Sequence, residues 1–432
     1  MRLSLSFFSF SFSFSFFSFL SLSTHALHLP NGFFGMIGPQ VKTASSLYEL
    51  FTSNGIIQGV FIQDSLITPV FHVIETEKVC SERNKKKEDK NKKDKNKKEE
   101  NKKEKSSLLG MLLSQSGIFP HMGTANTAVL SVHDRDYALF ERDLPYEVRI
   151  DCATKTVGTV GKVRVPHVHA LAHSWHDTLV RSHTYSLLYQ TVTFLDLDAS
   201  FRVLRKATFR TRYVPLVHSH LRVGDHYVFT DSPLFFSWKH CFQGKFPFIL
   251  EPRPTYLHVT PDVYTSPETF FIFHYASLVE THDAFILHAP LYETLDFSTV
   301  TLYGKYRRLV LHKGNKTITM EKNHVLEMYN LDFPVHWNEY ILLRNLDLST
   351  QTINGFILCD GITIMKEFWI NLSILGEPFI ENDSILFFAY NLTGTYFVHL
   401  SILDGTQQEY FVDLPGTLGF HSFFKKKYLD NV

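Results

Sequence analysis

Histidine is the side chain through which this chain is best equipped for chemistry. There are 23 of them, and imidazole is the commonest metal ligand among protein side chains. Two segments concentrate them. VPHVHALAHSWH (165–176) holds His167, His169, His173 and His176, and VPLVHSH (214–220) holds His218 and His220. On an unbroken strand the two-residue period puts His167, His169 and His173 on one face, so spacing alone does not select which of them would meet a metal. A lone histidine in a β-rich chain is more often a hydrogen-bonded structural residue than a ligand. The four cysteines, Cys80, Cys152, Cys241 and Cys359, include no C-x-x-C pair, which excludes a zinc ribbon or a dense disulfide scaffold. No glycine-rich phosphate loop or Ser/His/Asp motif stands out, so nucleotide chemistry and triad hydrolysis find no support.

The elements that must position these histidines read as strands. Of 432 residues, 40 are Phe and 19 Tyr, a composition that favours β structure. From about Gly32 onward, short alternating apolar runs are broken by turn residues at intervals of roughly ten. They include Gly59–Ile62, Ala128–Val132, Tyr137–Phe140, Thr191–Leu197, Tyr227–Thr230, Tyr256–Val259, Ala284–His288, Leu309–His312, Ile385–Tyr390 and Tyr396–Leu400. Apart from a short helix expected near Ser46–Phe51, no stretch combines 3.6-residue periodicity with caps. Regularly spaced strands over this length predict an all-β propeller or a large sandwich. Basic and acidic residues balance at 43 each, which leaves no basic field for nucleic acid.

Two segments are set apart. Residues 1–26 carry one Arg, an uncharged Phe/Ser/Leu run and a small-residue stretch, which resembles a signal peptide or the front of a plastid-type leader. Residues 84–105 hold twelve Lys, six acidic residues and four Asn with no apolar side chain, and are expected to form a disordered insertion within a single domain spanning 30–430. Lys425 to Lys427 offer a peripheral contact with a membrane surface. Asn315, Asn371, Asn382 and Asn391 begin glycosylation sequons that matter only on a secretory route. Nothing in the sequence sets the oligomeric state.

A resemblance then runs in order along most of the chain. TANTAVLSVHDRDYALFERDLPYEVRI (124–150) resembles the paired strands of the carotenoid cleavage oxygenase family that end in Glu-Gly and Leu-Pro. NGFFGMIGPQ (31–40) is similar to its opening Gly-Pro-Asn element, and LFTSNGIIQGVF (50–61) to its Phe-Asp-Gly-x-Gly-Met-x-His-Gly hairpin. LAHS (171–174) resembles the Ala-His-Pro signature, and VPLVHSHLRVGDHYVF (214–229) the region of a second ligand. FIFHYAS (271–277) resembles the region of a third, and TLGFHSFFKK (417–426) the Gly-Phe-His-Gly ending.

The resemblance implies a seven-bladed β-propeller with an axial iron and few short helices. It implies His173, His218, His274 and His421 as ligands of one Fe(II), with O2 as co-substrate. Four neutral imidazoles hold Fe(II) through one nitrogen each and leave up to two adjacent positions open. With blades of roughly fifty residues, the interval from His274 to His421 is expected to contain about three blades without a ligand. The family's three glutamates behind the histidines map onto Glu141 in LFERDLP, Asp332 in LDFP and Glu377 in GEPFIENDS. Asp332 stands where the family reads Glu. One methylene less shortens its reach by about 1.5 Å, so either the strand moves inward or its bond to His274 weakens.

The activity implied is oxidative cleavage of a carbon–carbon double bond in a carotenoid or apocarotenoid, an apolar polyene, to two carbonyl products. Rival readings on the same fold are a retinoid isomerohydrolase, a stilbene-cleaving enzyme, and an inactive trimmed paralogue that only binds. Departures from the pattern are Ser174 and Ser422 after two of the histidines, and Thr52, Ser53, Asn54 and Gln58 in the hairpin. None removes a ligand. His167, His169, His176 and His220 are expected to be dispensable for metal.

Overall fold

The computed structural model describes residues 28–41, 44, 46–91, 123–140, 143–163, 173–242, 247–297 and 302–426. The expected leader lies outside them, as does the Lys-rich stretch beyond Asn91. Strands dominate, and each anticipated run falls on one. Ala128–Val132 and Thr191–Leu197 match residue for residue, and the other runs fall on strands whose ends lie up to a few residues away. The expected short helix is Leu47–Thr52, capped by Ser46 Oγ, which accepts from Glu49 N at 3.2 Å.

Among the described residues two α-helices lie outside the sequence expectation, Glu77–Asn91 and the short Trp238–Phe242. The first absorbs Asn84 to Asn91, the front of the stretch expected to be disordered. Its Lys and Glu residues are strong helix formers, and it is anchored at its start, where Val79 is buried and Tyr146 Oη accepts from Glu77 N at 3.1 Å.

The strands follow one another as antiparallel meanders. Residues 128–162, 175–210 and 331–369 each form a four-stranded sheet, and residues 373–412 a five-stranded one. An eight-stranded sheet contains residues 221–266 and 277–321, joined through a single parallel pairing of Thr265 with Thr317. A separate hairpin, Leu234–Phe236 with Phe248–Leu250, is inserted into the first of these. The remaining sheet joins the two ends of the chain. Gly32–Pro39 pairs with Gly55–Gln63 on one side and with Ser422–Lys426 on the other, Met36 opposite Ser422.

The core lies between neighbouring sheets. Phe33, Ile57 and Phe61 of the first sheet pack on Ala138, Tyr146 and Val148 of the next, and Leu342, Phe356 and Leu358 pack on Ile385, Phe387 and Val398. Each fully buried Phe contributes roughly 1.5–3 kcal/mol on area grounds. Chain closure is tight. A Cβ on Gly38 would lie 2.5 Å from Leu418 O, so the first strand can approach the C-terminal segment this closely only as glycine.

Most histidines do structural work in these layers. His399 is fully buried and bonds Ser384 Oγ at 2.7 Å, and His288 bonds Ser277 Oγ at 3.0 Å. Burial holds both imidazoles neutral, pushed down to about 4 from 6.5. The unfolded chain therefore takes up protons near pH 6.5 that the native state refuses until about pH 4. Stability is full above that interval and falls as the pH drops through it, by on the order of 2 kcal/mol for each residue. Urea unfolding across the interval is expected to show this slope, shallower in a His288→Leu/His399→Leu variant. An identical slope in that variant would remove these two residues as its cause.

Candidate metal centre

The segments leading into edge strands of several sheets meet in one place, and each brings a polar side chain. His173 precedes Trp175–His176, His218 precedes Leu221–Val223, His274 precedes Ser277–Glu280 and His421 precedes Ser422–Lys426. Two sheets, 331–369 and 373–412, lie between the last two histidines where about three were expected. They supply Asp332, at the start of Leu331–Trp337, and Glu377, just before Phe379–Glu381. The sheets expected to supply no ligand thus supply the carboxylates at Asp332 and Glu377, as the sequence resemblance implied.

The four histidines converge. The Nε2 atoms of His173 and His218 are 2.7 Å apart. Ligand atoms of His173, His218 and His274 lie within 4.8 Å of one another. The ring of His421 is 4.7 Å from that of His173 and 5.6 Å from that of His274. His274 and His421 are only 12% and 13% exposed. Residues 173, 218, 274 and 421 therefore share one site despite separations of 45, 56 and 147 positions.

Two of the three carboxylates can be placed. His274 Nδ1 donates to Asp332 Oδ1 at 2.8 Å, and His421 Nδ1 donates to Glu377 Oε2 at 3.0 Å. A carboxylate only accepts, so each Nδ1 carries the proton and each Nε2 keeps its lone pair. Glu141 lies outside the described residues, as do His167 and His169. His176 packs edge-on against His133, and His220 Nδ1 meets His183 Nδ1 at 3.1 Å, away from the cluster.

The shortened side chain at 332 is accommodated by the backbone. The register of Leu331–Trp337 against Tyr340–Asp347 shifts between Asp332 and Val335, and Phe333 adopts φ +55°. Bulges are common beside functional sites, and with this one the bond to His274 is kept at ordinary length. Tyr292 Oη donates a short hydrogen bond to Asp332 Oδ2. Burial pushes the Asp332 carboxyl up, but His274 and Tyr292 outweigh it and hold the group down at about 2. The hydroxyl of Tyr292, buried beside that charge, is raised well above its ordinary value and remains a donor.

The centre fits a cation bound by nitrogen. His274 Nε2 is buried with no partner, an arrangement rare for a polar atom. His173 is held neutral, its pKa far below 6.5, by burial and by its three histidine neighbours. Burial lowers His274, but Asp332 more than offsets this and leaves it raised. Imidazoles backed by carboxylates suit Fe, Zn, Cu or Ni.

A cavity of about 170 Å³ opens beside the cluster. Leu50, Phe51, Phe273, Phe333, Leu418 and Phe420 supply much of its apolar wall. Phe51 stacks on Phe420 at 5.4 Å, next to His421, and its carbonyl accepts from Asn126 Nδ2, which also bonds the carbonyls of Leu50 and Ser53. Ser422 donates its hydroxyl to Glu377 O at 2.6 Å, which explains how serine is tolerated after the last histidine. Tyr292 and Arg344 belong to no motif in the sequence, and only the fold brings them here; Asn126 and Phe333 stand in the TANT and LDFP motifs, where the sequence assigned them no role.

Comparison with known proteins adds a family. The family model described as retinal pigment epithelial membrane protein matches residues 28–345. A carotenoid 9,10(9',10')-cleavage dioxygenase of Crocus sativus is 24% identical over 381 residues, covering 81% of this chain and 68% of the relative. Carotenoid 9,10(9',10')-cleavage dioxygenase 1 of Pisum sativum is 26% identical over 233 residues, and the match spans only 42% of its length. Among solved structures, a variant of the Synechocystis apocarotenoid oxygenase superposes with a TM-score of 0.67 at 15% identity, covering 92% of this chain and 93% of that one. The Pseudomonas brassicacearum lignostilbene dioxygenase gives 0.70 at 15%, covering 92% of each chain.

Alanine at His173, His218, His274 or His421 is expected to abolish iron loading, whereas His220→Ala retains it. Asp332→Ala is expected to weaken iron about 10–100-fold through loss of the carboxylate that orients His274. Metal analysis and chelator competition measure both effects. Full iron content in the His274 variant would dismantle the site as drawn.

Proposed function

As the chain belongs to the retinal pigment epithelial membrane protein family, we propose that it is a non-haem Fe(II) dioxygenase that cleaves a double bond of a carotenoid or apocarotenoid to two carbonyl products. The observation that carries this reading is the four-histidine cluster with carboxylates on the far nitrogens of His274 and His421. We also read the sheets as seven blades of a propeller. The eight-stranded sheet divides at its single parallel contact into two meanders, and the sheet joining both chain ends closes the ring.

His173, His218, His274 and His421 would hold the metal. Bound there, Fe(II) supplies activation of O2. The chain's own groups prepare the site. Asp332 and Glu377 fix the protons of His274 and His421 on Nδ1 and so keep both Nε2 lone pairs toward the centre. Tyr292 holds the second oxygen of Asp332, which stops the carboxylate from turning away. The aromatic wall of Phe51, Phe273, Phe333 and Phe420 excludes water and presents flat apolar surface to a polyene, a ligand that offers little to hydrogen bonds and is positioned by shape. No side chain is required to act as a covalent nucleophile or general acid.

Iron-loaded protein supplied with an apocarotenoid, and in parallel with a stilbene, is expected to consume one O2 per substrate cleaved. Labelled oxygen is expected in both carbonyl products. Isomerisation or ester hydrolysis without oxygen uptake would replace this reading with the isomerohydrolase one, and iron binding with no turnover would favour a binding role.

A further inference from the structure

Arg344 is a half-buried cation that lines the cavity. It lies on Tyr340–Asp347, on the same face as Leu346, and both line the cavity beside His274 and His421. Its guanidinium carbon stands 3.8 Å from the centre of the Phe333 ring, and that ring is 4.6 Å from His274 and 5.4 Å from His421. Among the described residues no carboxylate lies within 4.0 Å of it, and it makes no hydrogen bond. Two other arginines with little exposure are paired. Arg307 meets Glu327 at 3.0 Å, and Arg222 meets both oxygens of Asp196 at 2.7 and 2.8 Å. Asp332, opposite Arg344 in the ladder, is engaged by His274 and Tyr292 instead.

We propose that Arg344 is a specificity-determining residue that receives the carboxylate end of a conjugated substrate. A guanidinium carries its donors in a planar fork that matches a carboxylate through two parallel bonds, and it stays charged when buried. Phe333 beneath it fixes the plane of the fork. A carboxylate brings a single negative charge to the guanidinium, whereas a doubly charged phosphate would be repelled more strongly by Asp332 and Glu377. Asn330, also in the wall, is already committed to Gly304 N and Leu302 O. Burial lowers the pKa of Arg344 against the opposing pull of Asp332, Tyr292 and Glu377, in keeping with a site designed to gain an anion.

The inference rests on the dioxygenase reading for the conjugated chain and the reaction. With the carboxylate on Arg344, the double bond facing the histidines lies only a few bonds from the acid end. Cleavage breaks that bond and gives each carbon one oxygen atom of O2, so the electrons balance without a further reductant. The fragment left at Arg344 is an aldehyde acid.

The test is equilibrium binding of retinoic acid and its methyl ester to the iron-loaded protein without oxygen, read by tryptophan fluorescence. The wild type is expected to prefer the acid by about tenfold or more, as a charge-assisted bidentate pair requires. Arg344→Met is expected to lose the preference while keeping its affinity for the ester, and Arg344→Lys to retain part of it. An acid preference that survives in Arg344→Met would place the carboxylate elsewhere and overturn the assignment. Equal binding of acid and ester by the wild type, or binding of neither, would do the same. Should Arg344→Met not fold, a full preference in Arg344→Lys would overturn the bidentate fit. Because no turnover is involved, acid binding through Arg344 in a protein that consumes no oxygen would overturn the dioxygenase reading and leave the anchor standing.

Discussion

An imidazole has two nitrogens, and in its neutral form only one offers a lone pair. Which one faces the centre is decided by what stands behind the ring. In this protein Asp332 and Glu377 make that decision for His274 and His421, and the rest of the architecture can be understood as the means of holding those two bonds. The histidines arrive on segments that lead into edge strands, and the carboxylates arrive at the start of, or just before, edge strands of the two sheets between His274 and His421. Neither group is useful alone. A cluster of bare imidazoles would rotate, and carboxylates buried without a donor would take up protons.

Two local departures from regular structure keep those bonds at working length. The first is the bulge at Asp332, where Phe333 takes a left-handed backbone conformation that costs a non-glycine residue on the order of 1 kcal/mol. The second is the pairing of the chain's two ends. His421 is placed because Ile37 N donates to its carbonyl at 3.0 Å and Ser422 begins the strand beside Met36. The metal centre and the closure of the fold therefore share a strand, so fraying of the C-terminus and loss of the fourth histidine are the same event.

Much of this was legible in the sequence, for identifiable reasons. Strands such as Ala128–Val132 and Thr191–Leu197 alternate strongly and end at turn residues, so their limits could be read directly. The histidines that converge were recoverable because they sit in recognisable motifs, not because of their spacing. Spacing alone left His167, His169 and His173 indistinguishable. Helix Glu77–Asn91 escaped because its helicity rests on charged residues of high intrinsic propensity and carries no apolar stripe. Tyr292 and Arg344, and the part played by Phe333 of LDFP, escaped for a different reason. Each is an ordinary strand residue until the fold turns it toward the cavity, and a positive φ at a phenylalanine has no signature in composition or period.

The distribution of charge around the site follows from the same geometry. Negative groups stand behind the imidazoles and a positive one stands ahead of them across the aromatic wall. Asp332 remains ionised in spite of burial because two donors hold it, and Arg344 remains ionised because a guanidinium has no accessible neutral form. Between them lies Phe333, whose ring separates the cation from the histidine cluster and presents a face to each. The residue that pays the backbone strain of the bulge is thus also the insulator between two charged layers. Removing the bulge would displace Asp332 from His274 and the ring from Arg344 together, so the shortened acid and the arginine depend on the same stretch of backbone.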